Sequence, residues 1–192
     1  MVKGVRKMLI DSKNILLDPH PVLRIKCQEV ELPLSEEDKQ TLTDMLQYVR
    51  NSQDEKFCEE HNVKASVGIA APQIGISKKL LAISISGEDN DKPLEFALAN
   101  PKIISNSTQK SCLENGESCL SVSPDVEGIV LRYYRIKVRA YDLLTEREEI
   151  ISLKGYPAIV MQHEIDHLYG HLYYDHIDKK NPLFIPENTI TI

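Results

Sequence analysis

Over residues 35–52 the chain reads SEEDKQTLTDMLQYVRNS, and its apolar side chains fall at Leu42, Met45, Leu46 and Val49. That i, i+3, i+4, i+7 spacing predicts an amphipathic helix whose stripe faces a core. Ser35 suits its N-cap, and Glu36, Glu37 and Asp38 complement the positive first turn. In the centre of the chain the period drops to two. Leu81, Ile83 and Ile85 alternate with small or polar residues, and Ile136, Val138 and Ala140 alternate with Lys137, Arg139 and Tyr141. Both stretches predict strands. EFALANPKII (95–104) and EEIISLKG (148–155) predict two more, with Pro101 marking an edge or a bulge. SGEDNDKP (86–93) reads as a polar turn, and DPHPVLR (18–24) as an extended, proline-fixed entry. Pro157 suits the first turn of a helix and Gly170 its C-terminal cap, which predicts a helix over residues 157–169. The order of elements is that of an α+β fold: mixed or antiparallel strands packed around this late helix, with an amphipathic helix toward the N-terminus.

Length and composition keep the reading to one domain, residues 1–192, with 42% hydrophobic and 27% charged residues and no repeat, low-complexity tract or linker. No apolar run approaches the roughly 20 residues that span a bilayer. The apolar stretch in MVKGVRKMLIDSK is too short for a secretory signal, so the expected location is the cytoplasm, with no membrane partner. A formal net charge of −6 without a basic block argues against nucleic acid as the main partner. Cys27, Cys58, Cys112 and Cys119 include no CxxC pair, so they read as reduced thiols, at least one of which could ligate a metal.

The candidate chemistry lies in the late helix. QHEIDHLYG (162–170) places His163 and His167 one above the other on one helical face, with Glu164 beside the first. Two imidazoles so placed can clamp one cation, and the carboxylate can act on its water. A catalytic site of this kind needs a third protein ligand and an open position. Cys119, in NGESCLSVSPD (115–125), is the most suggestive donor. Gly116, Ser118, Ser121 and Pro124 mark an irregular loop with free backbone amides, and Leu120 and Val122 point to partial burial. The long separation from His163 adds little loop entropy. A second loop, SVGIAAPQIG (66–75), is small and apolar apart from Gln73, whose amide can donate into a dry site; taken alone it reads first as tight packing. Asp166 can orient a ligand imidazole or simply face solvent. His171 and His176 read as surface or hydrogen-bonded residues, and His20 and His61 as structural ones.

The segments GIAAPQ, ESCLS and QHEIDH, in this order and at these separations, resemble peptide deformylase. The likeness runs from HPVLR (20–24) through KGYPAIVMQHEIDHLYG (154–170) to YYDHID (173–178), and the stretch before Ser66 and the tail after Asp178 look like the form common in Gram-positive bacteria. The resemblance implies removal of the N-formyl group, as formate, from the initiator methionine of nascent polypeptides near the ribosome, by a cytoplasmic monomer. It implies that Cys119, His163 and His167 bind one divalent metal ion, Fe²⁺ in the cell with Zn²⁺, Ni²⁺ or Co²⁺ able to substitute, on a metal-binding helix carrying His-Glu-x-x-His. Glu164 would be the catalytic carboxylate, and Gln73 with the Leu120 N–H the oxyanion hole. Gly68 would meet the substrate backbone, while Val67, Tyr156, Ile159 and Val160 would line the methionine pocket. Arg132 would stand beside the cleft and support the Cys119 loop through Glu117.

Two residues depart from the family pattern. Ser66 and Ser118 stand where glycine is usual, which requires a negative φ or a tolerated strain. The implied reaction is metal-assisted amide hydrolysis, with Glu164 accepting a proton from the attacking water and returning it to the leaving amine. The main rival is a metallopeptidase, which shares His-Glu-x-x-His, although no third His stands at the metzincin spacing. A closed zinc module with Cys112 as fourth ligand is the other.

Overall fold

The computed structural model describes residues 10–61, 63–87 and 92–192. Residues 88–91 of the expected polar turn and the first nine residues of the chain lie outside the described residues. The apolar stripe forms α1, Glu36–Asn51, capped by the Ser35 hydroxyl, which accepts from the Asp38 N–H at 3.1 Å. Leu42, Met45, Leu46 and Val49 are all buried. A short α2, Glu55–His61, follows with no buried side chain, so no apolar period announced it.

Next come β1 (Gly68–Ala70), β2 (Leu80–Ile85), β3 (Leu94–Asn106), β4 (Lys110–Cys112), β5 (Arg132–Tyr133), β6 (Arg135–Asp142), β7 (Arg147–Lys154), α3 (Tyr156–Leu168) and β8 (Ile190–Thr191). Five strands form an antiparallel sheet in the spatial order β1-β2-β3-β6-β7. A smaller sheet runs β5-β4-β8, with β4 and β8 parallel.

The alternation in β2 predicts one buried face, yet every residue from Leu80 to Ser84 is buried. Both faces are covered. Leu81 and Ile83 pack with Leu98, Val138 and Met161 on the α3 side, while Leu80 and Ala82 pack with Leu42, Met45 and Ala97 beneath α1. β6 keeps its alternation: Ile136, Val138 and Ala140 are buried, while Arg135, Lys137 and Arg139 are exposed.

Pro101 lies in a strand paired on both sides, so it marks a bulge and not an edge. The register shifts between Ala99 and Lys102, and Asn100 takes a left-handed φ of 52°. That conformation is one asparagine tolerates, and the Asn100 side chain pairs with both backbone groups of Val30, at 2.9 and 2.8 Å. DPHPVLR is not extended throughout. Pro21–Arg24 forms a 3₁₀ turn, with proline at its first position and His20 Nδ1 accepting from the Val22 N–H. This segment crosses the C-terminal end of α3, where the Cys27 N–H donates to the Leu168 carbonyl at 2.9 Å. Among the described residues, no helix is long and apolar enough to cross a membrane.

Candidate metal centre

α3 brings His163 and His167 onto one face, with ring centroids 5.1 Å apart. The 115–125 loop delivers Cys119 to the same point, its sulfur 3.3 Å from His167 Nε2. Ligand atoms of Cys119, His163 and His167 all lie within 4.8 Å of one another, and Cys112 is not part of the cluster. Burial alone would raise the Cys119 thiol, but the imidazoles of His167 and His163 outweigh it and hold it at about 5. The sulfur is therefore a thiolate at neutral pH. Beside it, His167 Nδ1 and Glu164 Oε2 are buried without a hydrogen-bond partner among the described residues. One thiolate and two imidazoles at this separation fit a single divalent transition ion.

Glu117 orients the first imidazole. Its carboxylate lies 2.7 Å from His163 Nδ1 and receives two hydrogen bonds from Arg132, at 2.8 and 2.9 Å. The remaining arm of Arg132 reaches Asp166, whose Oδ2 also lies 2.8 Å from His176 Nε2. Burial would raise the Glu117 carboxyl, yet Arg132 and His163 pull it down to about 2. Burial likewise raises the half-buried Asp166, but His176 and Arg132 draw it down to about 2. Arg132, expected beside the cleft, is 4% exposed and does not line the cavity. Its guanidinium is occupied by two carboxylates, so it supports the site from behind. Asp166 likewise touches Arg132 and His176 and makes no hydrogen bond to a ligand imidazole. His171, His20 and His61 are exposed, and His61 stacks on Phe57.

Glu164 turns from α3 toward β1. A Cβ at position 68 would stand 2.5 Å from Glu164 Oε1, so only glycine lets the strand pass so near. Burial pushes the Glu164 carboxyl up to about 7, against the pull of His163 and His167. Gln73 sits in a 3₁₀ turn, Ala71–Ile74. Its Oε1 accepts from the Ala70 N–H at 2.8 Å, and its carbonyl accepts from the Leu16 N–H at 2.8 Å. Thus fixed, Gln73 Nε2 points to Ser121 Oγ at 3.2 Å and Cys119 Sγ at 3.6 Å. The Leu120 N–H makes no hydrogen bond among the described residues.

A cavity of about 300 Å³ opens at this point, lined by Val67, Gly68, Tyr156, Ile159 and Val160 together with His163 and Glu164. Lys64, Gln53 and Leu113 also line it. They stand outside the matched motifs, and nothing in their local pattern singles them out. Ser121, two residues past Cys119, was also missed as a partner for Gln73. Neither serine in place of glycine is strained: among the described residues, the non-glycine positions with positive φ are Asn100 and Glu146. The Ser66 hydroxyl donates to the Gly68 carbonyl at 2.6 Å, and Ser118 is exposed.

Residues 12–182 match the family model described as polypeptide deformylase. The chain is 46% identical over 186 residues to the peptide deformylase of Ligilactobacillus salivarius (strain UCC118), covering 96% of this chain and 100% of that one. It is 48% identical over 184 residues to peptide deformylase 2 of Bacillus subtilis (strain 168), covering 96% and 99%. The crystal structure of a probable peptide deformylase from Synechococcus phage S-SSM7 superposes with a TM-score of 0.68 at 33% identity, covering 85% of this chain and 98% of that one.

Proposed function

The chain belongs to the polypeptide deformylase family, and on that premise we propose that Cys119, His163 and His167 hold its catalytic metal while Glu164 moves the proton. The activity is metal-dependent, hydrolytic removal of the formyl group from nascent N-formylated polypeptides. One observation supports the assignment of residues above the others. Three metal-donor side chains converge within 4.8 Å beside a buried carboxyl whose Oε2 has no partner among the described residues.

A divalent ion bound there supplies Lewis-acid activation of water and of the formyl oxygen. The Glu164 carboxylate takes the proton of the attacking water, and its affinity near pH 7 suits it to return that proton to the leaving amine. Gln73 Nε2 and the Leu120 N–H donate to the oxygen that gains charge; one such donor is typically worth roughly 2.7–4 kcal/mol. Val67, Tyr156, Ile159 and Val160 receive the methionine side chain, and Gly68 meets the peptide backbone. Glu117, which also lines the cavity, holds His163 in place, and Arg132 supports it from behind.

Fe²⁺ is the proposed native ion, with Zn²⁺, Ni²⁺ or Co²⁺ as substitutes, since thiolate and imidazole donors accept all four. Residues 1–192 would form one catalytic domain, acting as a cytoplasmic monomer near the ribosome. The test is formate release from a formyl-Met tripeptide by anaerobically purified protein, with its metal content measured on the same sample. Formate without cleavage of internal peptide bonds is expected. Metal-loaded protein that releases no formate, or that cuts internal bonds instead, would overturn the assignment.

A further inference from the structure

The five-stranded sheet is covered unequally. α3 packs along one face, reaching Ile136, Val138, Ile151 and Leu153 of β6 and β7. On the other face, α1 packs over β1, β2 and the first half of β3; of the outward positions of β6 and β7, Tyr141 packs against this layer and the rest lie beyond it. There Arg135 stands opposite Lys154, Lys137 opposite Ser152, Arg139 opposite Ile150, and Tyr141 opposite Glu148. On the other side of β6, Lys102 of β3 faces Arg139. Lys102, Arg135, Lys137, Arg139 and Lys154 are all exposed. None of the five makes an ion pair among the described residues. Glu148 is the one carboxylate among the outward positions of β6 and β7, and it lies at the end farthest from Arg135 and Lys154. Glu29, the acid near Lys102, is already bonded to Lys79.

A solvated sheet face ordinarily mixes charges of both signs. Here an acidic chain of net charge −6 gathers five cations on one face that no other described element covers. Alternate residues of a strand are about 6.8 Å apart and neighbouring strands about 4.8 Å apart. Arg135, Lys137 and Arg139 therefore form a straight row, with Lys154 and Lys102 flanking it. We propose that this outer face of β3, β6 and β7 binds the phosphate backbone of a folded RNA, without sequence preference. RNA is favoured over a lipid surface because the two exposed apolar side chains on this face, Ile104 and Ile150, are separated by β6 and form no continuous wedge. The role of such docking, holding the enzyme on the RNA-rich particle that presents its substrate, rests on the deformylase reading; the binding does not. The catalytic cleft is on the α3 side, so contact with RNA leaves it open.

The experiment measures binding of the metal-loaded protein to an RNA duplex by fluorescence anisotropy across a salt series starting near 50 mM, beside vesicles of phosphatidylcholine and phosphatidylserine. Duplex binding should weaken steeply with salt, by about one unit of log–log slope for each phosphate contact. The triple variant Lys137→Glu, Arg139→Glu, Lys154→Glu should bind at least tenfold more weakly and lose two to three units of slope. Its formate release from a free formyl-Met tripeptide should stay at the wild-type rate, which also reports that it folds. The milder pair Lys137→Gln, Arg139→Gln should fall between. No duplex binding by the wild type near 50 mM salt, equal binding by the variants, or binding to vesicles but not to RNA would each overturn the proposal. Loss of formate release in the wild type would instead strike the assignment of activity and leave the RNA result standing.

Discussion

Two carboxyl groups near the metal-donor cluster meet opposite fates. Glu117 is pulled down to about 2 by Arg132 and His163, whereas Glu164 is pushed up to about 7 by burial. The first is a permanent anion that holds an imidazole; the second can exchange a proton near neutral pH. Glu164→Gln should therefore keep its metal and its KM while kcat falls by about 10²–10⁴, measured by metal analysis and steady-state formate release. Glu117→Gln should behave differently, because it leaves the buried Arg132 short of a partner. Breaking such a pair typically costs about 3–5 kcal/mol, and loss of the imidazole's support should weaken metal affinity about 10–100-fold. Denaturant unfolding and a chelator competition check the two effects separately. Cys119, His163, Glu164 and His167 could be singled out in the sequence because the side-chain type itself carries the chemistry. Arg132 could not be placed in the same way. It stands among Arg135 and Arg139 in a basic, strand-like run, and only the packing of β5 turns it inward.

At the level of elements, α1 was legible from its apolar stripe and serine cap, and α3 from a proline in its first turn and a glycine just past its end. β2 was legible as a strand, but its burial on both faces depends on two helices far away in sequence. α2 carries no stripe at all. The crossing of HPVLR over the end of α3 was equally hidden, and it depends on Gly170. There φ is +78°, and an added Cβ would lie 2.7 Å from the backbone carbonyl carbon of Arg24. Gly170→Ala should destabilise the fold by about 1–3 kcal/mol, seen as a lower denaturant midpoint with an unchanged slope. Gly68→Ala meets a different neighbour, the Glu164 carboxylate. It should reduce kcat more than stability, since a side chain and not a backbone must give way.

For the whole molecule, the Glu117–Arg132–Asp166 cluster sets the acid limit. In the unfolded chain both carboxyls take up protons near pH 4, whereas in the fold they do so near pH 2. Because the folded values are depressed, their contribution is complete above about pH 5 and is lost as the pH falls toward 2. Unfolding free energy should decline through that window, and an Arg132→Met variant should show a shallower decline, which thermal melts across pH would reveal. A metal held by Cys119, His163 and His167 would act on the same scale, tying the 115–125 loop to α3. A ligand bound only by the folded state stabilises it, so chelation should lower the melting temperature. The most direct test of the central claim is metal K-edge X-ray absorption on anaerobically purified protein. A first shell of one sulfur, two nitrogens and one lighter oxygen donor is predicted; two sulfurs, or none, would contradict it.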